Sequence, residues 1–115
     1  MSYEPGEIVE VPFPFVERPI QKVRPALVLS SPAFTQDSGV VVLAMITSAR
    51  RSSWTSDVNI ADWGEAGLRA PSVIRWKVFS IDVDLILNRR GALSPADQKQ
   101  TSAGFCRCFA AYTAG

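Results

Sequence analysis

The sequence predicts a mainly β domain with a helix at its C-terminal end, curled into a small barrel or a strongly curved sheet. Several short runs of strand-forming residues are separated by turn-forming segments, and the clearest helix signal lies near the end of the chain. A chain of 115 residues is long enough for one modest core and too short for two. We therefore predict a single domain over residues 1–115.

Two apolar segments near the N-terminus are predicted strands. The first, Glu7–Phe13, is rich in strand-forming residues, and prolines at positions 12 and 14 indicate an exit toward an edge or a bend. A polar loop follows at 16–23. The second strand, Arg24–Ser30, is strongly apolar and ends at Ser31-Pro32.

The middle of the chain alternates strands with polar segments. A turn at Gln36–Gly39 precedes the apolar run Val40–Ile46, which we interpret as a central strand. A polar loop at Ser48–Ser56 leads to a short strand at Asp57–Ile60. The segment Ala61–Leu68 contains two glycines, and either a loop or a single helical turn fits it.

A bent strand, a turn and a helix complete the prediction. Residues 72–81 form a strand bent near Lys77, and Leu85–Leu93 is turn-like. The helix begins at Ser94-Pro95-Ala96-Asp97, because a capping serine, a proline at the first helical position and an acidic residue in the first turn follow in order. One helical face carries a stripe that we expect to pack against the sheet. It consists of Thr101, Phe105, Cys108, Phe109 and Tyr112.

The absence of histidine restricts the available chemistry. It excludes Ser/His/Asp and Cys/His nucleophile pairs, two-histidine ribonuclease chemistry and most zinc sites. Cys106 and Cys108 lack the spacing of a zinc or redox pair and are expected to pack as small apolar residues. We therefore expect no metal and no cofactor. Catalysis would rest on carboxylates, arginine, lysine or hydroxyl groups.

Charge and hydropathy limit the possible partners. The net charge is +1, so nucleic-acid binding would need a local basic face. The doublets Arg50-Arg51 and Arg89-Arg90 are candidates, although solvated surface arginines explain either one equally well. No apolar run reaches the ~18 residues of a membrane span, and Met1–Pro5 lacks the features of a signal peptide. We expect a cytoplasmic protein that does not contact membranes.

The most informative segment for function is Val23-Arg24-Pro25, at the mouth of the second strand. Pro25 has a fixed φ angle and pushes Arg24 toward an extended conformation. The guanidinium of Arg24 is always charged and offers donors in a fork that suits a phosphate. Arg24 is therefore a candidate anion-binding residue.

Several segments together resemble the PemK/MazF family of bacterial toxins, which are small ribosome-independent endoribonucleases from toxin–antitoxin systems. They are Gly6-Glu7-Ile8-Val9, Pro12-Phe13-Pro14-Phe15, Lys22-Val23-Arg24-Pro25 with its aliphatic strand, Val40–Ser48, and Ala70–Lys77 with Ile81-Asp82. The resemblance covers nearly the whole chain. It implies an SH3-like barrel of the CcdB/Kid/MazF type, usually assembled as a two-fold homodimer.

The resemblance implies an active site at Arg24 and Thr47, which match the family's RP-motif arginine and the hydroxyl residue at the end of its third strand. Metal-free RNA cleavage requires the 2′-OH to lose a proton, the phosphorane charge to be stabilised and the 5′-oxygen to gain a proton. Arg24 suits the second task. Arg75, in Val73-Ile74-Arg75, matches an arginine that acts at the scissile phosphate in the PemK-like branch.

One position departs from that branch, because Lys77 stands where the branch has an acidic residue as a proposed base. Lys77 would serve as a base only if its pKa fell well below ~10; contact with phosphate is the other open role. The histidine of the branch's first loop is also absent. The proton acceptor is therefore the least determined part of the mechanism.

Loop aromatic residues and cations are expected to bind the substrate, because stacking and charge hold single strands. Phe13 and Phe15 could stack on bases, although Phe13 fits a core or interface position better. Trp54 suits contact with RNA and contact with an antitoxin equally well. The expected RNA-binding residues are Lys22, Ser48, Arg50, Arg51, Trp54 and Lys77.

The function implied is that of a toxin that cleaves single-stranded RNA sequence-selectively and without a metal. The cuts would leave 2′,3′-cyclic phosphate and 5′-OH ends and so inhibit translation and growth. A cognate antitoxin would lay an extended acidic segment along the basic groove and block Arg24. The alternative is a non-catalytic toxin or interaction protein on the same barrel, such as a CcdB-like gyrase binder or a degenerate family member.

Overall fold

The computed structural model describes residues 2–13, 22–51, 54–110 and 112. It confirms a mainly β fold with a C-terminal helix. The strands are β1 (Glu7–Phe13), β2 (Lys22–Val28), β3 (Val40–Ser48), β4 (Val58–Asn59), β5 (Ser72–Asp82) and β6 (Asn88–Ala92). The helices are α1 (Pro32–Ser38) and α2 (Pro95–Cys108), with short 3-10 helices at Ala49–Arg51 and Val83–Leu85.

The six strands of the described chain form one antiparallel sheet in the order β4-β5-β3-β2-β1-β6. The sheet curls into a half-barrel, which is the form that the predicted small barrel takes. The register shifts in β6, opposite Ile8/Val9, and in β5, opposite Ala44/Met45. Irregularities of this kind bend a strand locally and increase its twist. The second irregularity lies at residues 76 and 77, where the sequence predicts a bend.

Apolar side chains cover both faces of this sheet, because successive residues of a strand point to opposite sides. One cluster lies on the face that α2 covers, and it includes Ile8, Leu27, Ala44, Ile74 and Trp76. The other face carries a second cluster, formed by Val9, Val11, Ala26, Val28, Val41, Leu43 and Ile81 with Tyr3. We call these the helix face and the open face of the sheet.

Helix α2 begins where the sequence predicts. The Ser94 hydroxyl accepts a hydrogen bond from the backbone N–H of Asp97 at 3.2 Å, and a proline occupies the first turn. The buried carboxylate of Asp97 accepts hydrogen bonds from the backbone N–H groups of Ala61 at 3.0 Å and Asp62 at 2.8 Å. The helix therefore anchors the turn-rich segment 61–68 to the domain.

The predicted apolar stripe of α2 is only partly correct. The buried positions of the helix are Asp97, Thr101 and Gly104, whereas Phe105 and Phe109 remain 40% and 39% exposed. Both rings meet Trp76 edge-on and stack on each other, with centroids 4.7 Å apart. Tyr112, Cys106 and Cys108 are exposed, so the expected packing of Cys106 and Cys108 is wrong.

Two elements differ from the sequence-based expectation. The predicted turn at Gln36–Gly39 is the end of α1, which Ser31 caps and Gly39 terminates with a φ of 78°. The turn-like segment Leu85–Leu93 contains β6, paired with β1. This edge strand has no alternating apolar pattern, and ion pairs from Arg89 to Glu7 and from Arg90 to Glu10 stabilise it instead.

Candidate functional site

Arg24 and Thr47 are brought together by the pairing of β2 with β3. Ala26 lies opposite Met45, and continuing this antiparallel register by two residues places Arg24 opposite Thr47 on the open face. Both residues are half-buried and line the same cavity of about 140 Å³. Its walls are otherwise apolar, formed by Val11, Phe13, Pro25, Met45, Ile46 and Phe79. Phe13 is thus a wall residue; Phe15 lies outside the described residues.

A wider groove of about 740 Å³ adjoins this cavity and shares Arg24 and Thr47 with it. Its other lining residues are Lys22, Val23, Ser48 and Arg50. The described lining thus holds three cations, two hydroxyl groups and no carboxylate. Such a surface attracts a polyanion. We call it the basic groove.

The 3-10 turn after β3 brings Arg50 to the groove. The Ser48 hydroxyl accepts a hydrogen bond from the backbone N–H of Arg50 at 3.3 Å, and Ala49 N–H donates to the Pro71 carbonyl at 3.1 Å. The backbone of this turn is therefore held on both sides. The side chain of Arg51 lies outside the described part of the structure.

Arg75 lies on the same face, one strand further from Arg24. It stands opposite Met45 on β5, and Thr47 stands opposite Val73, so Arg75 and Thr47 are diagonal neighbours. The Arg75 Nε and Nη2 groups donate to the two carboxylate oxygens of Asp57 at 3.3 and 3.0 Å. This hydrogen bond raises the pKa of Arg75 above its ordinary value. Arg75 does not line the cavity or the basic groove.

Trp54 and Lys77 occupy different surroundings. The guanidinium carbon of Arg75 lies 5.1 Å from the centroid of the Trp54 ring, which is 41% exposed. Lys77 is exposed in the irregularity of β5, where residues 76 and 77 have no counterpart on β3. The structure does not bring Lys77 into the basic groove, so its position gives no support to a role as base.

Sequence reasoning missed Asp57, which is only 5% exposed at its side chain and pairs with Arg75. The available signal was its place at the start of a short strand, where an acidic residue can face an arginine across the sheet. The doublet Arg89-Arg90 serves a structural role instead. Arg89 lies over the Tyr3 ring and pairs with Glu7, and Arg90 donates to the Gly67 carbonyl at 2.9 Å.

A separate cavity of about 290 Å³ lies on the helix face, between β2 and α2. Its lining is largely apolar and includes Leu27, Leu29, Leu93 and Phe105. None of its lining residues is charged, so it lacks the cations that supply most of the affinity for a phosphate backbone. Among the described residues, no cluster of three potential metal ligands occurs and no helix is long and apolar enough to cross a membrane.

Several solved structures share the fold of this chain. The chain is similar to an endoribonuclease from a mycobacterial species solved with its cognate antitoxin (TM-score 0.70, 13% identity, covering 92% of this chain and 91% of that one). It is also similar to MazF from Deinococcus radiodurans (TM-score 0.67, 20% identity, covering 90% of this chain and 93% of that one). A third similar structure is the Mycobacterium tuberculosis toxin MazF-mt6 (TM-score 0.69, 19% identity, covering 88% of this chain and 93% of that one). At these identities the likeness shows the fold alone. Comparison with curated protein sequences finds no match.

A family comparison is more decisive than these structural likenesses. The family of PemK-like, MazF-like toxins of type II toxin–antitoxin systems matches residues 4–109. The match spans every strand and both helices. The chain therefore belongs to the PemK-like, MazF-like toxins of type II toxin–antitoxin systems.

Proposed function

We propose that this toxin is a metal-independent endoribonuclease that cleaves single-stranded RNA, with Arg24 and Thr47 in its active site. The observation that carries the proposal is the pairing of these two residues at the junction of an apolar-walled cavity and the basic groove. A cavity of this kind can hold one unstacked base, while the groove holds the backbone. Solved structures of similar fold are described as endoribonucleases, which agrees with this assignment.

Cleavage proceeds by attack of the 2′-oxygen on the adjacent phosphorus, with breakage of the bond from phosphorus to the 5′-oxygen. The products are a 2′,3′-cyclic phosphate and a 5′-OH. Arg24 stabilises the charge that accumulates on the phosphorane oxygens, and Arg75 adds positive charge from the neighbouring strand. Thr47 orients the 2′-OH or a phosphate oxygen. Since the described groove residues include no carboxylate and the chain has no histidine, the 2′-OH proton passes to water or hydroxide and water protonates the 5′-oxygen.

The basic groove determines how the RNA lies. Lys22 and Arg50 are both exposed, and they line the groove together with Arg24 and Ser48. We assign the two cations to phosphates next to the scissile one, because cations contact the backbone whatever the base. Sequence selectivity then comes from the cavity and from the exposed ring of Trp54.

Two assembly partners belong to this proposal. The first is a cognate antitoxin whose extended acidic segment occupies the basic groove and covers Arg24; a similar toxin fold from Deinococcus radiodurans is described in complex with MazE. The second is another copy of this chain in a homodimer. The toxin then acts in the cytoplasm, where its RNA substrate and its antitoxin occur.

The proposal is tested with purified protein and a long RNA of mixed sequence in excess EDTA. We expect discrete cuts with 2′,3′-cyclic phosphate ends, and we expect that a single 2′-deoxy substitution at a mapped site abolishes the cut there. Intact RNA would contradict the proposal and favour a toxin that acts by binding alone. Activity that EDTA removes and magnesium restores would contradict the metal-free mechanism.

A further inference from the structure

Asp57, Arg75 and Trp54 form a compact group beside the proposed active site. Asp57 directly precedes β4, where Val58 pairs with Ile74, so the register places Asp57 opposite Arg75. Both carboxylate oxygens accept from the guanidinium, one from Nε and one from Nη2. Two parallel hydrogen bonds fix the plane of the guanidinium as well as its position.

Trp54 restrains the same guanidinium from another direction. Its ring lies 5.1 Å from the guanidinium carbon, within the range of a cation–π contact. The backbone N–H of Asp57 donates to the Trp54 carbonyl at 3.1 Å, which closes a turn and holds the two residues together. A single turn before β4 therefore supplies both contacts to Arg75.

Low exposure strengthens this arrangement. The side chains of Arg75 and Asp57 are 14% and 5% exposed, so little water competes for their hydrogen bonds. An arginine on an open sheet face otherwise samples many rotamers, and ordering it during the reaction has an entropic cost. Here the orientation is set before the RNA arrives. This is the preorganisation that transition-state stabilisation requires.

The position of Arg75 links the group to the reaction. Arg75 lies on the open face, diagonal to Thr47, which in turn lies opposite Arg24. We propose that Asp57 and Trp54 are positioning residues, which act through Arg75 by fixing its guanidinium on the open face, on the strand next to Thr47. This inference rests on the proposed endoribonuclease function, and it names the residues that make Arg75 effective in it.

The competing explanation is purely structural, because an ion pair from Asp57 to Arg75 also fastens the two-residue strand β4 to β5. The two explanations differ in what Asp57 does once Arg75 is altered. A positioning residue has nothing left to position, whereas a structural contact acts on the fold. A double-mutant cycle on the rate of RNA cleavage therefore separates them.

The experiment compares wild type, Asp57→Asn, Arg75→Gln and the double variant by single-turnover cleavage at saturating RNA. Asp57→Asn keeps the side-chain shape, and we expect a rate about 10–100-fold lower because the guanidinium is misplaced, with RNA affinity changed less than threefold or so. The double variant should cleave at the rate of Arg75→Gln. Trp54→Ala should lower the rate, and Trp54→Phe, which keeps a ring, should restore most of it.

Two results would overturn the inference. One is a folded Asp57→Asn variant, with an unchanged melting temperature, that cleaves at the wild-type rate. The other is the same fold-loss from Asp57→Asn whether or not Arg75 is present. Wild-type protein that leaves RNA intact would refute the proposed function instead. In that case NMR of the Arg75 Nε–H still decides the positioning: restricted guanidinium rotation in wild type, lost in Asp57→Asn, supports it, and equal rotation refutes it.

Discussion

Arg24 and Thr47 occupy facing positions on β2 and β3 and line both the apolar-walled cavity and the basic groove. In the sequence they are separated by the rest of β2, the helix α1 and most of β3, yet the sheet register makes them neighbours. Pro25 keeps Arg24 in extended backbone, so the side chain of Arg24 projects from the sheet two residues after the start of β2. The pair thus combines a fixed positive charge with a hydroxyl group at one point on the surface.

Replacement of Thr47 tests the hydroxyl group of this pair. Thr47→Val keeps the shape of the side chain and removes the hydrogen-bonding oxygen, and we expect a fall in the single-turnover cleavage rate of about 10–100-fold, equivalent to about 1.4–2.7 kcal/mol. Thr47→Ser retains the hydroxyl and should stay within about tenfold of wild type. Equal rates for wild type and Thr47→Val would remove Thr47 from the mechanism.

The salt dependence of RNA binding measures how many cations of the basic groove contact RNA phosphates. Three of them, Lys22, Arg24 and Arg50, line it, and each phosphate contact with single-stranded RNA contributes about −0.7 to the slope of log K against log salt. We expect a slope of about −2, measured with an RNA that carries 2′-deoxy substitutions to prevent cleavage. Lys22→Ala should reduce the magnitude by about 0.7, whereas Lys99→Ala, on α2, should leave it unchanged. A slope near zero would place RNA elsewhere.

The rate of cleavage should rise from pH 5 to pH 8 with no inflection near pH 6.5, where a histidine would titrate. The chain has no histidine, and Arg75 is charged over this whole range as any arginine is; its contact with Asp57 raises its pKa further. The contribution of the raised pKa to the stability of the fold is fully present below the pKa that Arg75 has in the unfolded chain. It is lost only when the pH rises above the pKa of Arg75 in the folded protein. The rate should therefore follow the supply of base to the 2′-OH. A bell-shaped profile centred near neutrality would show that a protein group titrates in the mechanism.

Gly104 is a poor helix-forming residue, but the helix packs too closely at this position to leave room for a side chain. A Cβ atom at this position would lie 2.6 Å from Cγ2 of Val58 and 3.4 Å from the Trp76 ring. Gly104→Ala gains up to about 1 kcal/mol in helix propensity, but overpacking costs about 1–3 kcal/mol. We expect a net loss of unfolding free energy in urea titrations, while Ser102→Ala, at an exposed position of α2, should change it by less than about 0.5 kcal/mol. A more stable Gly104→Ala variant would show that α2 can move away from β4.

The fold was largely predictable from local patterns. The strands β1, β2, β3 and β5 are apolar runs, and the serine–proline start of α2 has a specific capping signal. The elements that were missed have weaker patterns: α1 also begins with a serine–proline pair, but no acidic residue follows in its first turn. Helix α1 is only seven residues long, and β6 reads Asn-Arg-Arg-Gly-Ala, so it depends on pairing with β1 and on ion pairs that only the tertiary structure reveals.

The candidate site was predictable in part for a related reason. The segment around Arg24 and the end of β3 at Thr47 are local in sequence, so their motifs stand out. The contacts to Arg75 join residues 54 and 57, in the turn before β4, to β5, and no spacing in the sequence indicates them. The position of Lys77 was not predictable either, because the described lining of the groove comes from β2, β3 and the turn after β3, whereas Lys77 lies on β5.

The measurement that tests the central claim most directly is the single-turnover cleavage rate of Arg24→Ala in EDTA. Its matched control is Arg107→Ala, which removes an exposed arginine near the end of α2. We expect Arg24→Ala to lose at least about 10²-fold in rate with an unchanged melting temperature, and Arg107→Ala to cleave like wild type. A folded Arg24→Ala variant that cuts the same sites at the wild-type rate would contradict the assignment of the active site to Arg24 and Thr47.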